Sequence, residues 1–593
     1  MAVPPEPAVT MSPGSQQASS ATGAVGPDRV RRLGAAGLAA ALTSFGLTAV
    51  VALLGPSLME PALPGSPGQP PWSLAAHPSP YLVAGLSGAA ILTAVTGLAF
   101  LLYANGRGWS ISPRLVLLAG LTGALVLAFL PPFGSSDHLS YAAYGRMAVT
   151  GHNPFTTTPA MLARLGDPVA RAVQDWRTSP SVYGSLAVGI QAVAAWIGGT
   201  SVRLIVFVLS LVNVAAFAAT GLILHWLARG DANRQLRAAL MWTANPLLLM
   251  VLVAGEHVDS QAIVFGVAAV AIAVTSLRTT SPSPEPRVRG ADGVDASHRA
   301  DGADGMGAPH RADGADGANV ARGSGGSGGP GGPGAGIVRP GLIAAAAGGL
   351  IGLGFAIKVT TALVGAGLAL GILLAWRNGR DGSWPSWRPS SWWRPSWWRP
   401  AVLLSGLAAG FAVVAGAALV PWGTAVFGPA LRGGSYTSIG SPWRAVRSGL
   451  RLLIGEQSAE DVVKIGALVL AVVLLVLLTR YIADWPGQLL AAGAFAFVFA
   501  WLLAWPYVLP WYDGLGWAFL AMLPATRFDW LMLARTAALA IGYLPARGIP
   551  LPDGLAWLET VVRTAITPAA LAVIVILAIV WLRPGQRERL VPG

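Results

Sequence analysis

Cysteine is absent from the 593 residues. No disulfide, thiol nucleophile, thiolate zinc site or iron–sulfur cluster can be built from this chain. Charge is scarce as well. Asp, Glu, Lys and Arg make up 11% of the residues, where a soluble globular chain carries about one quarter. Lysine is nearly missing, so the net charge of +13 comes almost wholly from arginine. What is abundant is apolar: 54% of the chain, with a mean hydropathy of +0.59. These values exclude a soluble multidomain enzyme and point to an all-α polytopic membrane protein. An arginine excess in such a chain suits cytoplasmic loops and anionic headgroups, with no nucleic-acid partner.

Residues 1–28 are rich in Pro, Ser and Gly and read as a disordered tail. Arg29, Arg31 and Arg32 then precede an apolar run at 33–54, which reads as an anchor helix with its N-terminus inside. Further spans are expected near 81–103, 114–130, 202–227, 238–254 and 260–277. A polar stretch at 131–181 separates the third of these from a short apolar piece at 182–198. Arg229, Arg234 and Arg237 belong inside, which makes 182–198 a juxtamembrane or re-entrant helix. The alternative is that 182–198 crosses and these arginines lie outside.

Residues 278–340 form a Gly-, Pro-, Ser- and Asp-rich linker with the repeat HRADGADG at 298–305 and 310–317. Such composition buries no core and reads as a disordered cytoplasmic loop. Two helices then occupy 341–376, with Lys358 at the outer turn between them. The tandem SWRPS-SWWRP-SWWRP within 377–400 reads as an interfacial anchor. Spans near 401–420, 462–482, 488–507, 512–526, 528–545 and 563–582 complete a count of about fourteen. This divides the chain into an N-terminal membrane module at 29–277, the linker, a C-terminal module at 341–582 and a cytoplasmic tail at 583–593.

Polar residues in or beside spans are costly and are functional candidates by default. On this topology they gather on the outer face. Asp137, His138, Arg146 and Asn153 lie in the first outer stretch, and Glu256, His257 and Asp259 cap the outer end of a span. Lys358 sits at an outer turn. Tyr436, Ser438 and Arg444 lie in the outer loop 421–461, which is basic against the positive-inside tendency. Trp511 and Tyr512 end another span. Carboxylates can take a proton from a hydroxyl, cations can hold a phosphate, and aromatic faces can stack on sugars or flank a lipid chain. Together they suit transfer of a sugar from a lipid phosphate at the membrane surface. Several bland readings stay open beside this one. Asp137 would also serve as a helix cap, Lys358 would also snorkel to headgroups, and Trp511 would also serve as an interfacial anchor.

Six segments carry a resemblance: SSDHLSYAAYGRMAVTGHNPF at 135–155, SPSVYGSL at 179–186, NPLLLMVLVAGEHVDS at 245–260, GFAIKVTTAL at 354–363, SPWR at 441–444 and LPWYDGL at 509–515. In this order they resemble the actinobacterial polyprenyl-phosphomannose-dependent α-1,6-mannosyltransferases of lipomannan synthesis, members of the GT-C superfamily. The chain departs from that family's usual His-Asn-Asp at His257-Val258-Asp259, and from its Tyr-Gly-Pro at Tyr183-Gly184-Ser185.

The resemblance implies a GT-C-type glycosyltransferase fold with an outward-facing cavity in the plasma membrane. It implies a polyprenyl-phosphate mannose donor, a lipid-linked mannan acceptor, and inversion from a β-linked donor to an α-linked product. Asp137 is then the general base, with Glu256 and Asp259 orienting the acceptor. Lys358, with Arg444 or Arg146, would neutralise the phosphate. Tyr183 falls in the second motif. No cofactor is required; a divalent cation held by His257, Asp259 and Asp137 is the alternative. Another polyprenyl-phosphate sugar, a lipid or sugar transporter and a non-catalytic scaffold are the rival functions.

Overall fold

The structure is a computed structural model. It describes residues 26–278, 335–379, 397–434, 436–485, 487–545 and 548–583. The N-terminal tail up to residue 25, most of the linker, most of the Trp/Arg repeat and the C-terminal tail from 584 lie outside the described residues.

The described residues are helical, with no strand among them. In chain order the helices are α1 (Pro27–Leu54), α2 (Pro80–Gly106), α3 (Pro113–Ala128), α4 (Asp137–Val149), α5 (Pro159–Arg164), α6 (Pro168–Arg171), α7 (Ser185–Gly198) and α8 (Val202–Leu227). Then come α9 (Ala232–Met241), α10 (Pro246–Leu248), α11 (Asp259–Arg278), α12 (Ala335–Phe355), α13 (Ala362–Asn378) and α14 (Trp398–Leu419). The last are α15 (Phe427–Gly433), α16 (Pro442–Ile454), α17 (Glu456–Ile482), α18 (Leu489–Ala504), α19 (Asp513–Leu520), α20 (Phe528–Gly542) and α21 (Thr567–Trp581). Among the described residues nine helical segments are long and apolar enough to cross a membrane, and four shorter apolar helices join them. The expected all-α polytopic membrane architecture is what the chain adopts.

Local sequence sets the helix starts. Pro occupies the first turn of α1, α2 and α3, where a missing N–H costs nothing. Ser79, Ser201 and Asp231 accept the free N–H groups of α2, α8 and α9. Small residues then allow close packing. A Cβ on Gly348 would sit 2.0 Å from the Leu407 carbonyl oxygen, and one on Gly410 would sit 1.9 Å from that of Ala345. Helices α12 and α14 therefore approach backbone to backbone, as small residues permit in membrane bundles.

Backbone hydrogen bonds identify the two ends of the bundle. At one end the Trp72 N–H bonds to the Phe129 carbonyl, Phe133 to Ala254, Gly134 to Met59 and Gly184 to Ile357. The loops after α1, α3, α10 and α12 therefore meet there; this is called the site end. At the opposite end Asn105 hydrogen-bonds Asn233, and the Asn378 amide donates to the Ala483 carbonyl at 2.8 Å. Arg237 clamps Asp529 there with two bonds of 2.7 and 2.8 Å. Arg535 pairs with Asp513, joining α20 to α19 within the bundle.

Helix α7 begins and ends at the site end. Its first turn is tied to Ala356 and Ile357, while Ser201, just beyond its C-terminus, donates to Gln69 Oε1 at 2.6 Å in the loop between α1 and α2. It does not pass through the bundle, so the reading of 182–198 as a non-crossing helix agrees with the architecture. Helices α4 to α7 form a cap over the site end. Helix α16 lies at the same end with no buried residue. Val446, Leu452 and Leu453 are exposed on it.

Candidate active site

The loop 131–136 aims Asp137. It is clamped by the Phe133 and Gly134 hydrogen bonds just described, and Gly134 supplies a left-handed turn with φ of 87°. The Ser135 hydroxyl accepts the Asp137 N–H at 3.1 Å. Ser136 donates to Asp175 instead of capping α4. The Asp137 carboxylate is thus spared capping work and borders a cavity, keeping 15% of its side chain exposed.

The segment 245–260 is shaped by a π-helical turn at Leu249–Ala254, a feature frequent at functional sites. Glu256 follows with a φ of +51°, a strained value for a side-chain-bearing residue. The three polar residues then point three ways. Glu256 turns into the bundle and accepts the Ser210 hydroxyl at 3.0 Å. His257 stacks on Trp511, ring centroids 3.5 Å apart, with Nδ1 3.6 Å from Asp137 Oδ2. Asp259 takes Lys358 Nζ on both oxygens, at 2.7 and 2.8 Å.

Lys358 sits in the turn between α12 and α13. The carbonyls of Ile357 and Ala356 accept the N–H groups of Gly184 and Leu186 at 2.9 Å, which locks the Tyr183 segment beside it. A Cβ on Gly184 would lie 2.2 Å from the Ala356 oxygen, so only glycine permits this approach. Lys358 Nζ also lies 4.0 Å from the centre of the Tyr512 ring. Tyr183 meets Tyr141 edge-on, hydroxyls 3.2 Å apart.

These elements enclose a cavity of about 210 Å³. Asp137, Tyr141, Tyr144, Trp176, Tyr183, Lys358, Tyr436, Trp501, Trp505, Tyr507, Trp511 and Tyr512 supply most of its wall. It is an aromatic chamber with one carboxylate and one ammonium group. Burial pushes the Asp137 carboxyl up to about 7. Lys358 opposes that shift, Asp175 adds to it, and a hydrogen bond from the Trp176 side chain opposes it.

Asp137, Tyr183, Lys358, Tyr436, Trp511 and Tyr512 of the sequence candidates therefore line one chamber. His257 and Asp259 stand behind Asp137 and Lys358. Ser438 bridges the loop after α15 to the loop after α18, both donating to and accepting from the Val508 backbone at 2.9 Å. Five candidates stand elsewhere, Glu256 among them. Arg146 is held by Asp167 at 2.8 Å within the cap. Asn153 accepts the Phe155 N–H at 2.9 Å and fixes its own turn. Arg444 is exposed on α16, and His138 is buried in α4 away from the chamber wall.

Glu256 is likewise buried against α8, so it does not reach a substrate in the chamber. Lys358 is the cation at the chamber; Arg146 and Arg444 are not. The divalent-ion set is divided too. Asp259 is engaged by Lys358, His257 lies flat on Trp511, and no group of three His, Asp or Glu among the described residues is placed to hold a metal.

Asp175 and Trp176 were missed in the sequence. They lie in a stretch without apolar periodicity, and only the unusual pairing of an acid with Trp before the Tyr183 motif marked them. Trp176 adopts a φ of +59° and packs at 5.8 Å against Tyr436.

Comparison with known proteins agrees with the motifs. An alpha-(1->6)-mannopyranosyltransferase of Mycobacterium tuberculosis is 29% identical over 181 residues, 30% of this chain and 31% of the relative. Alpha-(1->6)-mannopyranosyltransferase A of Corynebacterium glutamicum is 27% identical over 170 residues, 26% of this chain and 34% of the relative. The matched stretches thus span about a third of each relative. No solved structure matches. Residues 36–375, more than half of the chain, match the family described as Alpha-(1->6)-mannopyranosyltransferase, N-terminal domain, and the chain belongs to that family.

Proposed function

We propose that this protein transfers mannose from a polyprenyl-phosphate donor to a hydroxyl of a lipid-linked mannan, with inversion, on the outer face of the plasma membrane. One observation carries the reading: Asp137 and Lys358 border the same aromatic chamber. The acceptor oxygen forms its bond to the anomeric carbon as the bond from that carbon to the phosphate oxygen breaks. The electron pair leaves on the phosphate, beside Lys358. The hydroxyl proton passes to Asp137. A carboxyl titrating near 7 is well matched to that work near neutral pH.

Lys358 has three donors, and Asp259 holds two of them. Asp259 thereby fixes the ammonium in place ahead of the phosphate, which is the preorganisation that favours a developing anion. Trp501, Trp505 and Tyr512 offer faces to the sugar and to the first isoprene units. An apolar groove of about 250 Å³, walled by Leu470, Leu502, Leu503, Val575 and Ile576, shares Trp505 with the chamber and suits the lipid chain.

The outer-face assignment rests on charge. The loops opposite the site end carry Arg107, Arg114, Arg229, Arg234, Arg377 and Arg527, the pattern of a cytoplasmic side. Membership of the family and the mannosyl transfer for which the relatives are named support mannose as the sugar.

The deciding experiment follows radiolabelled mannose from polyprenyl-phosphate mannose in membranes holding wild type or Asp137→Asn at equal level. Transfer by wild type alone is the expected result. Equal transfer by both would remove Asp137 as base, and transfer by neither would remove the donor.

A further inference from the structure

The aromatic chamber is not alone in opening beside Asp137. A second cavity, of about 440 Å³, borders the same carboxylate. Asp137, Trp176, Tyr436, Tyr507 and Leu509 border both. Beyond that shared wall the linings differ in kind. Lys358 borders only the first space. Asp175, Thr437, Ser438 and Arg563 border only the second.

We infer that the second cavity seats the acceptor glycan, with Asp175, Thr437 and Trp176 as its recognition groups. This rests on the reading of the chain as a transferase with Asp137 as base. In an inverting displacement the acceptor oxygen enters opposite the departing phosphate. The cation that receives the phosphate then belongs to one space and the acceptor to the other. The group that takes the acceptor's proton has to border both, and Asp137 does.

The lining suits a sugar rather than a lipid. Saccharides are bound by side chains that exchange hydrogen bonds with several hydroxyls and by an aromatic face laid against the ring. Asp175 is oriented by the Ser136 hydroxyl, which donates to Oδ2. Arg563 is oriented by the Gly542 carbonyl, at 2.9 Å from Nε, and by that of Pro545. Trp176 is 41% exposed and keeps a left-handed backbone in the shared wall. Such strain persists where surrounding contacts over-determine a position, and it clusters at ligand sites. Orientation of the acceptor thereby moves from Glu256, which faces Ser210, and Asp259, which faces Lys358, to the loop carrying Asp175.

The test uses the full-length protein in detergent with a short α-linked mannoside as acceptor. Steady-state transfer is measured for wild type, Asp175→Asn and Thr437→Val, varying acceptor and donor separately. Asp175→Asn should raise the acceptor KM about tenfold or more while the donor KM stays within about twofold. Thr437→Val should raise the acceptor KM less, and it decides the matter where Asp175→Asn fails to fold.

Saturation-transfer NMR of the mannoside gives a readout that needs no turnover. Loss of its signal in Asp175→Asn supports the inference even if wild type transfers from no donor tested, in which case the transferase reading fails alone. A KM change that falls on the donor, or an NMR signal unchanged in both variants, overturns it. So does absence of both binding and transfer in wild type.

Discussion

Lys358 and Asp259, 99 residues apart in the chain, form a two-point ion pair with Nζ 2.7 and 2.8 Å from the carboxylate oxygens. Only 12% and 8% of their side chains are exposed. Removing one partner from a pair this enclosed leaves a lone buried charge, at a cost of about 3–5 kcal/mol. Asp259→Leu and Lys358→Met should each lower the thermal midpoint of the purified protein. The double variant should recover most of that loss, because no charge is left unpaired, and yet should not transfer sugar. Melting curves beside transfer assays check both halves. A double variant as unstable as the two losses added would show that the pair does not hold this turn.

The pH dependence follows from Asp137. Burial raises its carboxyl to about 7, and only the ionised form accepts a proton. The kcat/KM for transfer should therefore climb as pH rises through about 7 and then level off, with about one tenth of the maximum left near pH 6. The negative charge of Asp175 contributes to the rise. Asp175→Asn should accordingly move the midpoint to lower pH, apart from its effect on acceptor affinity. A profile flat from about pH 5.5 to about pH 8.5 would remove Asp137 from the proton transfer.

The membrane architecture was readable because a crossing helix must be apolar over a fixed length. The runs at 202–227 and 81–103 therefore marked α8 and α2 closely. Asp137, Lys358 and Trp511 were readable because polar or interfacial residues at span ends are conspicuous in so apolar a chain, and Tyr436 because its outer loop is basic. Side-chain pairing was not readable. Nothing near Glu256 in sequence announces Ser210, and nothing near Arg146 announces that Asp167 will hold it. The charge of Arg444 was visible, but its exposure on α16 depends on how that helix packs. Asp175 and Trp176 escaped because they belong to a cap without periodicity, placed by the Ser136 hydrogen bond and the Tyr436 ring.

Gly184 joins the cap to the Lys358 turn, and a methyl group there would collide with the Ala356 carbonyl at 2.2 Å. Gly184→Ala should destabilise the protein by about 1–3 kcal/mol and reduce transfer, since both Tyr183 and Lys358 would shift. Gly189, five residues on in α7, has nothing within 4 Å of its added Cβ. Gly189→Ala should leave the thermal midpoint unchanged or raise it slightly, by the ordinary helix preference for alanine. Equal effects at both sites would mean that the close approach at Gly184 is not what joins these segments.

The sidedness of the cap can be read by single-cysteine labelling, for which the absence of native cysteine removes any background. Thr178 and Thr200 flank α7 and are exposed, and Ala232 is exposed at the start of α9. Because α7 begins and ends at the site end, Thr178→Cys and Thr200→Cys should both react with a membrane-impermeant maleimide in intact cells. Ala232→Cys, at the opposite end, should react only after permeabilisation. Labelling of Thr178→Cys without Thr200→Cys would mean that α7 crosses the membrane, and every later span would reverse its direction. Labelling of Ala232→Cys alone would put the chamber, and with it any transfer, on the cytoplasmic side, where positively charged loops would then stand on the wrong face.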